Sequence, residues 1–268
     1  SSCIGLRLGD KSEQNKNKIS GVFLKPSGWA MVSAMSTPRL TIVIPTLNAA
    51  HTIGGCLAAL YAGGDRRLPF EVLIVDGGSR DETIKEASRF GAQVLTVPPG
   101  RGGQLAAGAQ GAKGHWLLFL HGDTLLGDDW GAEVIEFISS EANVRRAGYF
   151  RFALNDDAAS ARRLESMVGW RCRVFALPYG DQGLLIAKPF YDVLGGFAPL
   201  SLMEDVDFIR RFKSRAGRRA LIPLNTVATT DAMRYRSSTY LTRSLRNLFC
   251  LGLYFARVPP RLIQRLYG

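Results

Sequence analysis

Residues 116–124 read Trp116-Leu117-Leu118-Phe119-Leu120-His121-Gly122-Asp123-Thr124, an apolar run that stops at a small residue and a carboxylate. Such a run, bounded by a turn signal, is typical of a strand buried on both faces of a parallel sheet. Open α/β sheets bind their ligands beyond the carboxyl ends of these strands. Asp123 is therefore placed either to hold a divalent cation against phosphate oxygens or to cap the helix that follows near Asp129.

The chain up to this run alternates four times between strand and helix patterns. The predicted strands are Leu40–Ile44, Phe70–Val75, Gln93–Val97 and Leu117–Leu120. Ser79 and Glu82 match the capping box, so a helix is expected to begin at Ser79. The alternation indicates βαβ units, and hence an α/β fold with a mostly parallel central sheet and helices on both faces.

Beyond residue 127 the pattern changes. Tyr149–Leu154 alternates in hydrophobicity, which predicts an antiparallel or edge strand. A basic amphipathic stretch, Ala158–Phe175, precedes a predicted strand at Leu184–Ala187. Glu204 then opens a predicted helix with three acids in its first turn, more negative charge than one helix cap requires.

The formal net charge of +11 is concentrated near the C-terminus. Thirteen Lys and Arg residues lie in 208–268, where Asp231 is the only acid, so this region is expected to meet an anionic partner. Residues 234–268 place apolar side chains such as Leu248 and Phe255 at helical spacing. They form either a helix packed on the preceding domain or an interfacial helix lying on an anionic membrane.

The rest of the composition places limits on the setting. Residues 1–38 show no strong periodicity and are expected to be a poorly ordered leader, which is a tag, an upstream extension or a targeting segment. The four cysteines show no metal-binding spacing, which indicates a reducing, cytoplasmic environment. The cluster Gly100–Gly103 is neither a dinucleotide fingerprint nor a P-loop. The basic tail carries no nucleic-acid readout motif, so no nucleic-acid partner is predicted.

Five motifs follow one another in the order and spacing found in family 2 glycosyltransferases of the GT-A fold, which this chain resembles over roughly residues 39–220. They are Pro45-Thr46-Leu47-Asn48, Asp76-Gly77-Gly78-Ser79-Arg80-Asp81-Glu82-Thr83, Leu120-His121-Gly122-Asp123, Gly195-Gly196-Phe197 and Glu204-Asp205-Val206-Asp207. The resemblance implies a Rossmann-like catalytic domain at 39–233, with a nucleotide-sugar half at 39–127 and an acceptor half at 128–233. Residues 234–268 would form the separate basic helices.

The resemblance also implies roles for single residues. Asp76 matches the first acid of the family's Asp-Asp-Gly-Ser motif and would bind the nucleoside, usually uridine. Asp123 matches the last acid of Asp-x-Asp and would bind the Mg²⁺ or Mn²⁺ that bridges the diphosphate. Asp205 matches the acid of the Glu-Asp pair and would be the general base. The expected donor-binding set is Pro45, Thr46, Asn48, Asp76, Arg101, His121 and Asp123, although Arg101 could equally be a solvated surface charge.

Two positions depart from the family pattern. Gly77 replaces the second acid of Asp-Asp-Gly-Ser, and His121 replaces the first acid of Asp-x-Asp. The site therefore keeps one carboxylate where relatives often have two, which leaves a non-catalytic nucleotide-sugar-binding protein as a second hypothesis. Pro178–Gly183 and Met203–Asp207 further resemble a bacterial-type subgroup that has been linked to arsenosugar biosynthesis.

Sugar transfer requires a cation beside the departing diphosphate and a base beside the acceptor hydroxyl. Asp205 fits the second requirement, and the absence of another nucleophilic acid nearby favours single displacement with inversion. Asp181, Gln182 and Glu204 are expected on the acceptor side, where the first two could instead form a hydrogen-bonded turn. The predicted partners are a nucleotide-sugar donor and an unidentified acceptor. The predicted location is the cytoplasm, at the inner face of a membrane if the C-terminal helix binds lipid.

Overall fold

A computed structural model describes residues 37–200, 202–231, 240–256, 258–259 and 262–263. The predicted leader up to residue 36, and much of the basic tail, lie outside the described residues. The strands are β1 Leu40–Thr46, β2 Phe70–Asp76, β3 Gln93–Thr96, β4 Trp116–Phe119, β5 Thr124–Leu126, β6 Ala147–Leu154, β7 Leu184–Ala187 and β8 Leu221–Thr230. The helices are α1 Ala50–Ala62, α2 Thr83–Arg89, α3 Arg101–Gly111, α4 Trp130–Ser139, α5 Ala159–Phe175, α6 Lys188–Val193, α7 Glu204–Ala216 and α8 Tyr240–Phe255.

The eight strands form one sheet in the order β3-β2-β1-β4-β7-β6-β8-β5. β1 pairs in parallel with β2 and β4, and β2 pairs in parallel with β3, as the alternating pattern predicted. β7 runs antiparallel to both β4 and β6, whereas β6 runs parallel to β8. The predicted α/β class is confirmed, with a parallel first half and a mixed second half.

A continuous apolar core joins the two halves of the sheet. Ile42 in β1, Leu118 in β4, Ile186 in β7 and Phe150 in β6 are all fully buried within it. Strands covered on both faces read as unbroken apolar runs, which explains why β1 and β4 were visible in the sequence. β5 belongs to the first half of the chain yet pairs with β8, so the two halves are parts of one sheet.

Of the two alternatives predicted for Tyr149–Leu154, the antiparallel one is confirmed, because β6 pairs antiparallel with β7. β6 lies between β7 and β8 and is therefore not an edge strand. Its alternation arises because Phe150 and Leu154 are buried whereas Arg151 between them is exposed. The predicted capping box is absent, since α2 begins at Thr83 and has no side-chain cap hydrogen bond. The Ser79 hydroxyl instead donates to the charged carboxylate of Asp76 and accepts a hydrogen bond from the Asn48 amide, so its oxygen does not cap the helix.

No helix in the described part of the chain combines the length and apolar character needed to cross a lipid bilayer.

Candidate active site

The carboxyl ends of β1, β2 and β4 meet at one edge of the sheet, because β1 lies between the other two strands. Gln104 of α3 fastens this edge. Its buried Nε2 donates to the carbonyl oxygens of Thr46 and Val75, each at 2.8 Å. The Gly77 amide also donates to the Thr46 carbonyl at 2.8 Å. The loops that follow β1 and β2 are therefore held at a fixed separation by a glutamine that was not predicted as a site residue.

Asp76 lies at the end of β2 and is completely buried. Its Oδ1 accepts hydrogen bonds from the hydroxyls of Thr46 and Ser79, at 2.9 and 2.5 Å. Its Oδ2 accepts from the amides of Gly78 and Ser79, at 2.9 and 2.7 Å. Burial raises the pKa of Asp76, but these hydrogen bonds outweigh it and lower the pKa overall. The carboxylate is thus ionised and committed to ordering its own turn.

Replacement of Asp76 by Ala is expected to lower the unfolding free energy by about 3 kcal/mol, because two hydroxyls and two amides of the turn lose their charged acceptor. Urea unfolding without nucleotide measures the loss. Glu82→Ala, in the same loop but exposed, is the matched control and should change stability by less than about 0.5 kcal/mol. A loss below about 1 kcal/mol for Asp76→Ala would show that the carboxylate serves ligand binding and not the turn.

The remaining predicted donor residues of the β1 loop lie beside Asp76. Pro45 is half-buried within β1, and Thr46 is buried. Asn48 adopts a positive φ of 51°, and its Oδ1 accepts a hydrogen bond from the Arg80 amide at 2.9 Å. Its own amide donates to the Ser79 hydroxyl at 2.8 Å. The two loops consequently form one rigid rim at the sheet edge.

Asp123 lies in the turn between β4 and β5, with 9% of its surface exposed. β5 begins at the next residue and α4 has Asp129 as its N-cap, so Asp123 does not cap that helix. A Cβ added to Gly122 would lie 3.5 Å from Thr46, which places this turn against the end of β1. The His121 ring packs on Gly180, where an added Cβ would come within 2.6 Å of Nε2.

Asp205 lies in the first turn of α7. Its Oδ2 accepts a hydrogen bond from the Gly180 amide at 3.0 Å, and its Oδ1 accepts one from the Val206 amide at 2.7 Å. The loop that carries Asp181 is therefore fixed against the carboxylate that the sequence marked as a base. Together with His121 and Glu204, Asp205 forms the polar wall of an otherwise largely apolar cleft.

Asp181 lies close enough to Asp123 and to Asp205 to be affected by the charges of both. Its Oδ1 is buried and accepts no hydrogen bond from the described residues. Burial raises the pKa of Asp181 to about 6; the charges of Asp205 and Asp123 add to this effect, and those of Arg171 and Arg101 oppose it. Asp123, Asp181 and Asp205 thus share one electrostatic environment with two arginines.

Glu204 and Arg101 form an ion pair that is affected by the charge of Asp205. Glu204 is 2% exposed, and Arg101 Nη1 lies 3.5 Å from its Oε1. Burial, followed by the charge of Asp205, raises the pKa of Glu204 to about 7, although Arg101 opposes the shift. Arg101 is anchored because the Gly102 amide donates to the Leu200 carbonyl at 3.0 Å. Arg101 is therefore paired with a buried acid of α7, and its role in donor binding stays a prediction.

The raised pKa of Glu204 predicts a pH-dependent stability. The folded-state pKa of about 7 exceeds the reference value of 4.5, so stability is lost as the pH rises through this interval. Between about pH 5 and pH 8, wild type should lose about 2 kcal/mol more unfolding free energy than Glu204→Gln. Urea unfolding at both pH values tests this, with exposed Glu136→Gln as the control. Equal losses in wild type and Glu204→Gln would contradict the prediction.

Gln182 adopts the alternative left open by the sequence, a hydrogen-bonded turn. Its buried Oε1 accepts from Arg171 Nη2 and from the Cys172 thiol, each at 3.2 Å, and its Nε2 donates to the Phe150 carbonyl at 3.2 Å. Arg171, which was not predicted, also lies over the Tyr179 ring at 3.4 Å. α5 therefore positions the loop that carries Asp181.

Comparison with known proteins agrees with this arrangement. The model of the family described as Glycosyl transferase family 2 matches residues 41–183, more than half of the chain. A PGL/p-HBAD biosynthesis glycosyltransferase of Mycobacterium tuberculosis is 37% identical over 114 residues, which are 39% of this chain and 43% of that protein. Glycosyltransferase AglE of Haloferax volcanii is 27% identical over 143 residues, 51% of this chain and 47% of AglE. The matches span less than half the length of these relatives.

Two solved structures share the fold. Glucosyl-3-phosphoglycerate synthase from Mycobacterium tuberculosis, in complex with Mn²⁺, UDP and glucosyl-3-phosphoglycerate, has a TM-score of 0.58 at 18% identity, covering 87% of this chain and 84% of that chain. S. aureus TarS has a TM-score of 0.56 at 17% identity, covering 84% and 41%. The matched family model, the named relatives and the sheet topology agree with the five sequence motifs, and the chain belongs to glycosyltransferase family 2, with the GT-A fold.

Proposed function

We propose that this glycosyltransferase moves a sugar, with inversion, from a UDP-sugar to an acceptor hydroxyl or phosphate. The observation that carries the proposal is the grouping of three acids: Asp181 lies close enough to Asp123 and Asp205 for both charges to raise its pKa, and Asp205 lines the cleft. A strand-end acid for the donor and a helix acid for the acceptor are the two groups that such a transfer requires. Residues 39–127 would bind the donor and residues 128–233 the acceptor.

The donor side fits a divalent cation bound mainly through substrate. No group of three or more His, Cys, Asp or Glu side chains in the described residues could hold a metal unaided. Mg²⁺ and Mn²⁺ prefer oxygen ligands, and Mg²⁺ is often held by one or two carboxylates plus phosphate oxygens, which matches Asp123. Solved neighbours contain UDP with Mn²⁺ or Mg²⁺. When bound, the ion would supply positive charge beside the departing diphosphate.

On the acceptor side, Asp205 would accept the hydroxyl proton while the acceptor oxygen bonds to the anomeric carbon. The diphosphate would leave with the bonding electron pair, so one displacement inverts the configuration. The Gly180 amide holds Asp205 Oδ2 in place. Asp181 Oδ1, buried and lacking a hydrogen bond from the described residues, would accept a hydrogen bond from the acceptor. Such an acceptor would satisfy a group whose isolation costs free energy.

Binding of a nucleotide sugar without transfer is the second candidate function. It is favoured by Gly77 and His121, which stand where relatives often have acids, and by Asp76, whose carboxylate is already fully hydrogen-bonded. Retention of a base candidate at Asp205 opposes it. The arsenosugar link stays a prediction, as do the donor sugar and the acceptor.

A thermal-shift panel tests the donor assignment. UDP with Mn²⁺ at about 100 times its dissociation constant should add about 2.7 kcal/mol of stability. ADP and GDP should add less. Mn²⁺-dependent hydrolysis or transfer of a UDP-sugar by the same preparation would exclude the non-catalytic alternative. No stabilisation by any nucleoside diphosphate, with or without Mn²⁺, would overturn the proposed function.

We also propose that the enzyme works in the cytoplasm at the inner face of a membrane. The basic residues of the C-terminal region support an anionic partner. The side chains of Leu241, Arg243 and Leu245, on which the sequence prediction partly rested, lie outside the described residues. Leu248 and Phe255 are described and are more than half exposed.

A further inference from the structure

The outer face of α5 exposes large apolar side chains. Met167, Trp170 and Val174 lie on one side of the helix, with 51%, 55% and 41% of their surfaces exposed. Phe175 is 51% exposed, and its ring lies 5.4 Å from that of Trp170. Single exposed apolar residues are ordinary, but four neighbours that include a tryptophan mark an interaction site.

Positive charge surrounds these apolar side chains. Arg163 and Arg173 are exposed on α5, and no acid occurs between residues 166 and 175. The acids near the start of α5 are Asp156, Asp157 and Glu165, and Arg162 binds the last two. At the other end, Lys213 Nζ donates to the Phe175 carbonyl at 3.0 Å, and Arg218 donates to that of Val174. Burial, then Arg218 and Arg210, lower the pKa of Lys213, as expected in dense positive charge.

α8 contacts α5 and, like it, exposes large apolar side chains. Leu248, Phe249 and Phe255 are exposed by 53%, 59% and 55%. Arg210 of α7 donates to the Tyr254 hydroxyl at 3.2 Å and lies 5.9 Å from the Phe255 ring, so α7 joins α8 through basic and aromatic groups. Residues 240–256 contain no acid.

We propose that these two helix faces dock on an anionic lipid bilayer. The face is called the α5–α8 surface and comprises Met167, Trp170, Val174, Phe175, Leu248, Phe249 and Phe255, with Arg163 and Arg173. Tryptophan prefers the level of the lipid headgroups, and arginines beside apolar side chains attract anionic headgroups while their stems contact the acyl boundary. A symmetric pair of copies would place basic residues against basic residues, which opposes association through this face.

Docking in this way would orient the cleft. Arg171 lies one turn from both Met167 and Phe175 on α5 and so borders the exposed apolar face. It donates to the Leu177 carbonyl at 2.9 Å and to Gln182, so it holds the loop that carries Asp181. Lipid bound to this face would therefore lie beside that loop. This step rests on the proposed function. The acceptor would then be a membrane-anchored molecule that carries a hydroxyl or a phosphate at the level of the lipid headgroups.

Vesicle co-sedimentation of the full chain tests the proposal. Vesicles of zwitterionic lipid alone and with about one third anionic lipid are compared at low and high salt. Binding is expected on anionic vesicles, with at least a tenfold decrease for Trp170→Ser/Phe175→Ser and for Arg163→Gln/Arg173→Gln. The controls are Ile84→Ser and Arg66→Gln, both exposed and outside α5 and α8, and should bind as wild type does.

Tryptophan quenching gives a second readout. Trp116 and Trp130 are buried, so in a Trp29→Phe background, brominated lipid should quench Trp170. No vesicle binding, or binding unaffected by the α5 variants, would overturn the proposal. The proposal would also be overturned if the protein bound no vesicles but self-associated, and if the α5 variants abolished that self-association. UDP and Mn²⁺ binding, measured separately, should be unchanged in every variant, so a failure of the donor assignment is distinguishable from a failure of membrane docking.

Discussion

Asp205→Asn should transfer sugar about 10²–10⁴-fold more slowly than wild type, because the amide cannot accept the acceptor's proton. Nucleotide binding should stay within a few-fold, since Asp205 lies in α7 and not in the β1 and β2 loops. The asparagine oxygen can still accept the hydrogen bond from the Gly180 amide, so the loop before Asp181 should keep its position. Initial rates with a UDP-sugar and Mn²⁺ measure the effect.

Asp207→Asn is the matched control for this substitution, since it changes an acid in the same turn of α7. Asp207 pairs with Arg211 at 2.8 Å and accepts a hydrogen bond from the Tyr254 hydroxyl at 3.2 Å, so its contacts are structural. Its transfer rate should remain within a few-fold of wild type. Similar rates in Asp205→Asn and wild type would remove Asp205 as the base, and equal losses in both variants would indicate damage to α7 instead.

The sequence predicted the sheet edge well because its signals are local. An apolar run followed by a small residue and an acid marks a strand and its end together, so Asp76 and Asp123 were found before any contact was known. The concentration of acids at the start of α7 marked Asp205 only as a candidate, and its role as the base is implied by the resemblance and stays a prediction. Since parallel strands bring their carboxyl ends to the same edge, the grouping of Asp76 with Asp123 followed from the fold class alone.

Other features depend on contacts distant in sequence, and no local pattern reveals them. Gln104 lies in a helix of small residues, and its two carbonyl acceptors are 58 and 29 residues away. Arg171 looked like one more charge in a basic stretch, yet it holds the loop that carries Asp181. The spacing of Ser79 and Glu82 is compatible both with a Ser79 hydroxyl that caps a helix and with one that binds Asp76. The short strand β5 is defined by its pairing with β8, which periodicity cannot report.

Asp123→Asn should lower the Mn²⁺-dependent transfer rate by roughly 10³-fold, because charge stabilisation by a bound cation is worth several kcal/mol. Asp123 offers the carboxylate at the end of β4, and His121 stands where relatives often supply another acid. The loss of one charge should therefore weaken cation binding more than it would in a two-acid site. The stabilisation of the fold by UDP with Mn²⁺, measured by thermal shift, should fall to that seen with UDP alone.

Asp129→Asn is the control for this variant, since Asp129 is an exposed acid near the same strand and makes no side-chain cap hydrogen bond with α4. It should retain the full Mn²⁺ effect on UDP binding. Restoration of a second acid by His121→Asp gives the complementary test. If one carboxylate limits cation affinity, this substitution should tighten Mn²⁺ binding in the presence of UDP. An unchanged Mn²⁺ dependence in Asp123→Asn would place the cation elsewhere and leave Asp123 a structural acid at the end of β4.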